Sequence, residues 1–408
     1  MSRVVSRRAF LQAASALGFE AGVQDQASPS SAPPVLVFFD EATRRHEPGP
    51  GHPEGPTRMG AALAALRAEE ANGRAVFGTP RLANDDDLMR VHTASYVALV
   101  KAEVTQGRPT LSTGDTGLSA GSLDAARAGA GCVLAAVDAV MKGPSRRAFC
   151  AIRPPGHHAS PGRGMGFCLF NNVAIGVRHA QVRYGVERTL IADWDVHHGN
   201  GTQDVFWRDG SVLFFDTHQH PWYPGTGLRT EAGDGKGRGL IVNRPFPAGA
   251  GRREVLTAFR EELVPLAERF KPQLVMVSAG FDSRAGDPLG QFMLDDRDFD
   301  DLTAVVGDIA RQNLADPQGW SAPQRLPLFP ARSSFYPEII GTYPSENDKL
   351  TGQVARFFLS GTSTWEIVFQ RPDTCGDSLQ NSLQRANANP SCDPSLVGPA
   401  PLRPARGA

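Results

Sequence analysis

The sequence lacks the features that mark several broad classes of protein. No stretch approaches the roughly 20 consecutive apolar residues that cross a bilayer, so no segment reads as a transmembrane helix. Its five cysteines, Cys132, Cys150, Cys168, Cys375 and Cys392, include no CxxC pair, and their odd number argues against a disulfide framework. Neither sign of charge is in excess. With 42 Lys and Arg against 43 Asp and Glu, the net charge is -1, which gives no whole-chain argument for a nucleic acid or a membrane surface as partner. No basic stripe points to nucleic acid either.

What the chain does have is length and apolar content. Its 408 residues, 41% of them hydrophobic, suffice for one large α/β domain or two ordinary ones. Ser6-Arg7-Arg8-Ala9-Phe10-Leu11 looks like a twin-arginine export signal, followed by a modest apolar region that Glu20 cuts short. No A-x-A cleavage site precedes Pro33-Pro34. Residues 1–32 are therefore set apart from the fold. A genuine signal implies a periplasmic or secreted protein; a plain extension implies a cytoplasmic one.

From Val35 onward, apolar runs alternate with helical spacing. Val35–Phe39, Ala148–Ile152, Leu190–Ala192, Val212–Phe215 and Leu274–Val277 read as buried strands. Helices are expected from Thr57 as cap to a stop at Asn72-Gly73, from Asn84 through Val100, and from Ser119 or Ser122 to Met141. Two more are expected over Val173–Tyr184 and Glu254–Phe270. Such alternation predicts a mostly parallel sheet covered by helices. One main domain is expected over 33–315. Residues 316–408 lose regular periodicity; short strands are expected at Val354–Leu359 and Trp365–Phe369, and disorder from Pro372 onward.

At least four of the strands run into loops loaded with His or Asp: 153–158, 193–200, 216–220 and 282–287. In open α/β sheets ligands bind outside the carboxyl ends of the strands, so these loops converge on one place. Asp193, Asp195 and His197 alternate by two and are expected on one face of the chain. A catalytic zinc takes three protein ligands and keeps one position open. Asp195 and His197 supply two, and Asp287 is expected as the third. His157 and His158, after a rigid Pro-Pro-Gly, are placed to move protons, with Asp193 orienting an imidazole or holding a monovalent cation. Gly164–Cys168 and Trp222–Gly227 bring rings and flexible backbone to the same edge, where two facing rings would form a slot for an aliphatic chain.

Five motifs in order carry a family resemblance: RPPGHHA (153–159), GFCLFNN from Gly166, DWDVHHGNGTQ (193–203), YPGTG (223–227) and AGFDSRAGDPLG (279–290). With GHPEGPTR (51–58) and LMRVHTASYV (88–97), the chain over about 35–314 resembles the zinc-dependent histone deacetylase superfamily. It looks most like the class II, histone-deacetylase-like amidohydrolase and acetylpolyamine amidohydrolase branch. The resemblance implies an arginase/deacetylase-like three-layer α/β fold. It also implies hydrolysis of an N-acetyl or other acyl amide of lysine or a polyamine, to acetate and free amine, by metal-activated water. On this resemblance Asp195, His197 and Asp287 match the ligands of one Zn2+. His158 matches the general base and His157 the neighbouring electrostatic imidazole. Asp193 matches a partner of these and a K+ ligand, and Asn200 matches the residue oriented against the second imidazole. Phe167 and Tyr223 match the walls of the acyl-lysine tunnel beside Gly166, and Asp115 the acid at its rim.

The chain departs from the family in one respect. The family's Glu-Gly-Gly-Tyr (or His) motif, whose Tyr donates to the developing oxyanion, has no counterpart after Ala315. Losing one such donor costs on the order of 100- to 1000-fold in rate; Tyr336 or Tyr343 could stand in only by an accident of folding. The tail also suggests a reading-frame change in the gene. The alternative reading is therefore a catalytically impaired homologue that binds zinc and acylated ligand. A binuclear manganese ureohydrolase of the arginase type needs DxHxD, whereas this chain has DxDxHH.

Overall fold

The computed structural model describes residues 33–313 and the backbone of one further strand, 364–370. The signal-like segment, Tyr336, Tyr343, the strand expected at 354–359 and the tail from Pro372 lie outside the described residues. Eight strands form one sheet: β1 (Val35–Phe38), β2 (Ala75–Phe77), β3 (Arg147–Cys150), β4 (Thr189–Asp193), β5 (Val212–Gln219), β6 (Ile241–Phe246), β7 (Leu274–Gly280) and β8 (Thr364–Gln370). Their order is β2-β1-β3-β8-β7-β4-β5-β6. Every pairing is parallel except those of β8, which runs antiparallel between β3 and β7.

The apolar runs are continuous because both faces of the sheet are covered. Leu190, Ala192, Leu213, Phe215, Val275 and Val277 pack in one core with the helices Thr57–Ala71, Arg252–Thr257, Val264–Phe270 and Asp296–Asn313, the middle two joined by the π-helical turn Ala258–Leu263. Their neighbours Ile191, Phe214 and Met276 point the other way, into a core with the helices Ser122–Lys142 and Asn172–Tyr184. This is a three-layer α/β arrangement, with the sheet in the middle. Alternation continues past the end of β4. Trp194 and Val196 join the first core, which turns Asp193, Asp195 and His197 to the opposite side, as their spacing predicts.

Several local expectations needed correction. Thr57 opens its helix instead of capping it; the cap position is Pro56. The helix expected from Asn84 to Val100 is two, Asp85–Leu88 and Ala94–Thr105. Asn84 caps the first through the Asp87 amide at 2.8 Å and Thr93 the second through the Tyr96 amide at 3.2 Å. Each cap satisfies orphan amides at a separate start. The break lets His92 turn inward, where its Nδ1–H donates to the Ser160 carbonyl and its Nε2 accepts from the Asn171 amide. β2, β6 and the helix Asp296–Asn313 are additions that sequence reading did not anticipate. Among the described residues, no helix is long and apolar enough to cross a membrane.

β8 matches the strand expected at Trp365–Phe369, but its direction matters. Thr364 is in register with Gly280, at the carboxyl end of β7, and Gln370 with Leu274 at the other end. β8 therefore ends at the sheet edge opposite the polar loops.

Candidate metal centre and pocket

The polar loops meet at the carboxyl edge of β3, β4 and β7, and they build a site from the strand ends outward. After β4 ends at Asp193, the backbone amide of Asp195 donates to Asp193 Oδ1 at 3.1 Å. The amide of His197 donates in turn to Asp195 Oδ1 at 2.8 Å. These Asx-type turns curl the chain so that both side chains stand over the sheet edge. From the end of β7, Asp282 reaches across: its Oδ1 accepts the Val196 amide at 2.9 Å. Its Oδ2 lies 3.0 Å from Nδ1 of His197, which is also 3.0 Å from Asp195 Oδ1.

Ligand-competent atoms of Asp195, His197 and Asp282 lie within 4.8 Å of one another, and all three residues are buried. Asp282 closes this group. Asp287, expected as the third ligand, lies five residues further along the same loop, where its Oδ1 accepts the Leu289 amide at 2.9 Å.

The three donors fit a metal. The single Nδ1–H of His197 goes to Asp195 Oδ1, which leaves Asp282 Oδ2, although ion-paired at 3.0 Å, buried without a hydrogen bond of its own, a costly state unless an ion or proton satisfies it. Burial and the nearby Asp195 carboxylate push the Asp282 carboxyl up. Burial opposes a charged ring on His197, yet its contacts with Asp195 and Asp282 hold it up to about 10. Asp195, although buried, is held well below the usual carboxylate range by His157 and His197. One nitrogen and two carboxylates sharing positive charge in this way are a set that a divalent cation would satisfy.

The imidazole pair stands over the centre, its ring centroids 4.0 Å apart. His157 Nδ1–H donates to Asp193 Oδ2 at 3.0 Å. Against its burial, Asp195 and Asp193 raise His157 to about 9; burial raises Asp193 to about 7, with His157 opposing. His158 differs. Its Nδ1 faces Asn200 Oδ1 at 2.8 Å, and the Asn200 amide nitrogen is turned to Met165 Sδ at 3.6 Å. Burial, then the positive charge of His157 and His197, drives His158 well below its ordinary range. The two adjacent rings are thus pushed in opposite directions.

A cavity of about 270 Å³ opens from these groups, lined by His157, His158, Asp195, His197, Gly166, Phe167 and Tyr223, with Asp115, Trp222 and Leu289 further out. The Tyr223 ring stands edge-on to His158, 5.3 Å between centroids. Gly166 adopts φ +56 against His158, where a Cβ would come within 2.2 Å of the ring; only glycine fits there. Phe167 follows with φ 65, a conformation unusual for an aromatic residue and typical of functional sites. Asp115 is exposed, and its Oδ1 accepts both the Gly166 amide at 2.7 Å and the Tyr223 hydroxyl at 3.3 Å. Asp115, Gly166, Phe167 and Tyr223 are thus brought together, as expected. The outer residues Trp222 and Leu289, joined by a Trp222 Nε1–H bond to the Leu289 carbonyl at 2.8 Å, were not singled out as a wall.

Under the site lies a buried ion cluster that sequence reading missed. Arg153 forms a two-pronged pair with Glu54, 2.5 and 2.7 Å, and Arg58 approaches the same carboxylate at 3.6 Å. Its signals were two arginines within the conspicuous early motifs.

Comparison with known proteins gives a consistent result. Residues 52–317 match the family described as the histone deacetylase domain. The histone deacetylase-like amidohydrolase of Pseudomonas aeruginosa is 37% identical over 297 residues, covering 68% of this chain and 78% of that one. A probable deacetylase of Archaeoglobus fulgidus is 40% identical over 268 residues, 65% and 74% of the two chains. The polyamine deacetylase HDAC10 of Rattus norvegicus is 41% identical over 265 residues, 62% of this chain and 45% of that protein. Among solved structures, the HDA15 HD domain aligns with a TM-score of 0.64 at 37% identity, covering 67% of this chain and 82% of that one.

Proposed function

The chain belongs to the histone deacetylase family, and on that premise we propose that it is a zinc-dependent amidohydrolase. Its substrate class is the N-acetyl or related acyl amide of lysine or a polyamine, as in the relatives named for deacetylation and polyamine deacetylation. One observation carries the reading: the buried group of Asp195, His197 and Asp282 lies against an imidazole pair, with His157 Nε2 3.9 Å from Asp195 Oδ2 and the His158 ring 5.9 Å from that of His197.

Asp195 and His197 would hold the zinc together with an aspartate of the loop after β7, Asp287 by the family resemblance or Asp282 by its contact with His197. When bound, the metal polarises the amide carbonyl and acidifies the attacking water. His158 is the base. The Asn200 oxygen can only accept, so His158 carries its proton on Nδ1 and keeps Nε2 as the proton acceptor. It takes the proton of the attacking water and delivers it to the amine nitrogen as the C–N bond breaks. His157, kept protonated by Asp193, supplies fixed positive charge toward the oxygen that becomes negative. Phe167 and Tyr223 flank the aliphatic chain, and the free oxygen of Asp115 offers an acceptor at the rim. The same reading includes a potassium ion beside Asp193, which a potassium-dependent gain in thermal stability would reveal.

A second reading has a specific observation behind it. Tyr223 is the one phenol among the described residues lining the pocket, and its hydroxyl is engaged with Asp115. With no Gly-Gly-Tyr motif in the sequence, this favours an enzyme slowed by the loss of an oxyanion donor, or a binding protein. The discriminating experiment is metal analysis of the purified chain together with an acetyl-lysine and acetylpolyamine panel, with and without a hydroxamate. One zinc per chain with hydroxamate-sensitive turnover supports the enzyme. Bound zinc and hydroxamate without turnover supports the binding protein, and two metals per chain would exclude both.

A further inference from the structure

Tyr223 sits on a long loop between β5 and β6, yet no covalent feature fixes it against the pocket. What holds the loop is a set of side chains behind the metal centre that the reaction does not use. His198, the residue after the metal-ligand candidate His197, is fully buried. Its Nδ1 lies 2.8 Å from the Thr226 hydroxyl and its Nε2 lies 3.2 Å from Gln203 Oε1.

The direction of these bonds follows from chemistry. Gln203 Nε2–H donates to Glu231 Oε2 at 2.7 Å, because a carboxylate only accepts. Gln203 therefore turns its oxygen to His198, and that oxygen also accepts from Asn243 Nδ2 at 2.7 Å. Nε2 of His198 must then donate, so a neutral ring has only an acceptor left at Nδ1, and the Thr226 hydroxyl must donate to it. Glu231 closes the circuit by accepting the backbone amides of Gly227 and Leu228, each at 3.1 Å. The path runs Thr226, His198, Gln203, Glu231 and back to Gly227. At its centre, Gly227 has φ +90, and a Cβ there would come within 2.6 Å of both imidazoles, His198 and His218.

We propose that this closed circuit of Thr226, His198, Gln203 and Glu231 is a clamp that positions Tyr223 as a pocket wall, making all four positioning residues for substrate. The proposal rests on reading the pocket as the acyl-amine site. It separates from the chemistry because none of the four lines the pocket.

Thr226 is exposed, so Thr226→Val removes the donor at little risk to folding, and Thr226→Ser restores it. Two measurements on the full zinc-loaded chain decide the matter. Deuterium exchange over residues 222–228 should rise in Thr226→Val and return to the wild-type level in Thr226→Ser. The Kd of a hydroxamate, and KM for an acetyl-lysine peptide, should rise by about five- to tenfold, the worth of one ordinary hydrogen bond. kcat should stay within about twofold. Gln203→Leu should reproduce the effect from the far side of the circuit. Unchanged exchange in Thr226→Val, or a loss in kcat with KM unmoved, would overturn the clamp. Absence of turnover in the wild type would count against the deacetylase reading alone, since exchange and hydroxamate binding still report on the clamp.

Discussion

Nδ1 of His197 lies 3.0 Å from Oδ2 of Asp282, and this contact joins the ends of β4 and β7 into one site. The same short segment offers a second carboxylate, Asp287, for the third metal position. Of Asp282→Ala and Asp287→Ala, the variant that removes the ligand should lower zinc affinity by more than the roughly 10- to 100-fold that loss of a supporting partner costs, and the other should stay within that range. Elemental analysis after dialysis reads both, and unchanged zinc in both variants would contradict a third ligand on this loop.

Asn200 should matter for rate and not for metal. Its oxygen fixes the tautomer of His158, so Asn200→Ala should lower kcat by about tenfold or more. His158→Ala should lose about 100- to 10,000-fold, the range for a general acid–base group. Zinc content should be unchanged in both. Steady-state kinetics alongside metal analysis separates the two effects.

The buried pair of Arg153 and Glu54 is a stability prediction. Removing one partner of a buried ion pair leaves an uncompensated charge, which costs about 3–5 kcal/mol. Glu54→Gln should show that loss in urea unfolding, because Arg58 depends on the same carboxylate. A change within about 0.5 kcal/mol would show that the cluster is compensated by other groups.

Asp300 gives a pH signature away from the site. Burial, then the like charges of Asp301, Asp296 and Asp295, push its carboxyl from 3.8 up to about 7. The folded state therefore binds this proton more tightly than the unfolded state does. Its stabilising contribution is complete below 3.8 and is lost as pH rises through about 7. Asp300→Asn should match the wild type in acid and gain Tm progressively as pH rises to about 8. A constant difference in Tm across that range would contradict the shift.

Much of this was legible because strand ends and polar loops coincide in the sequence. The runs at 148–152, 190–192, 212–215 and 274–277 each became a strand because two-sided burial demands continuous apolar side chains. Asp195 and His197 stood out by their spacing and His157 and His158 as adjacent imidazoles after Pro-Pro-Gly, and the fold brings all four to one cavity. The contact of Asp282 with His197 was not legible, because the turn after β7 presents two carboxylates and spacing does not rank them. β2 is three residues long and carries too little pattern. β6 is interrupted by Asn243-Arg244-Pro245. The helix Asp296–Asn313 hides its apolar stripe of Phe299, Leu302, Val306 and Ile309 behind a dense acidic start.

The central claim is metal-dependent amide hydrolysis at the site built around Asp195 and His197. The most direct measurement is acetate release from an acetyl-lysine peptide by the zinc-loaded chain, before and after chelation and after zinc is returned. We expect slow release, about 100- to 1000-fold below that of an enzyme with its oxyanion donor in place. It should be abolished by the chelator, restored by zinc and absent in His158→Ala. Acetate release that survives chelation, or none at all with one zinc bound per chain, would contradict the claim.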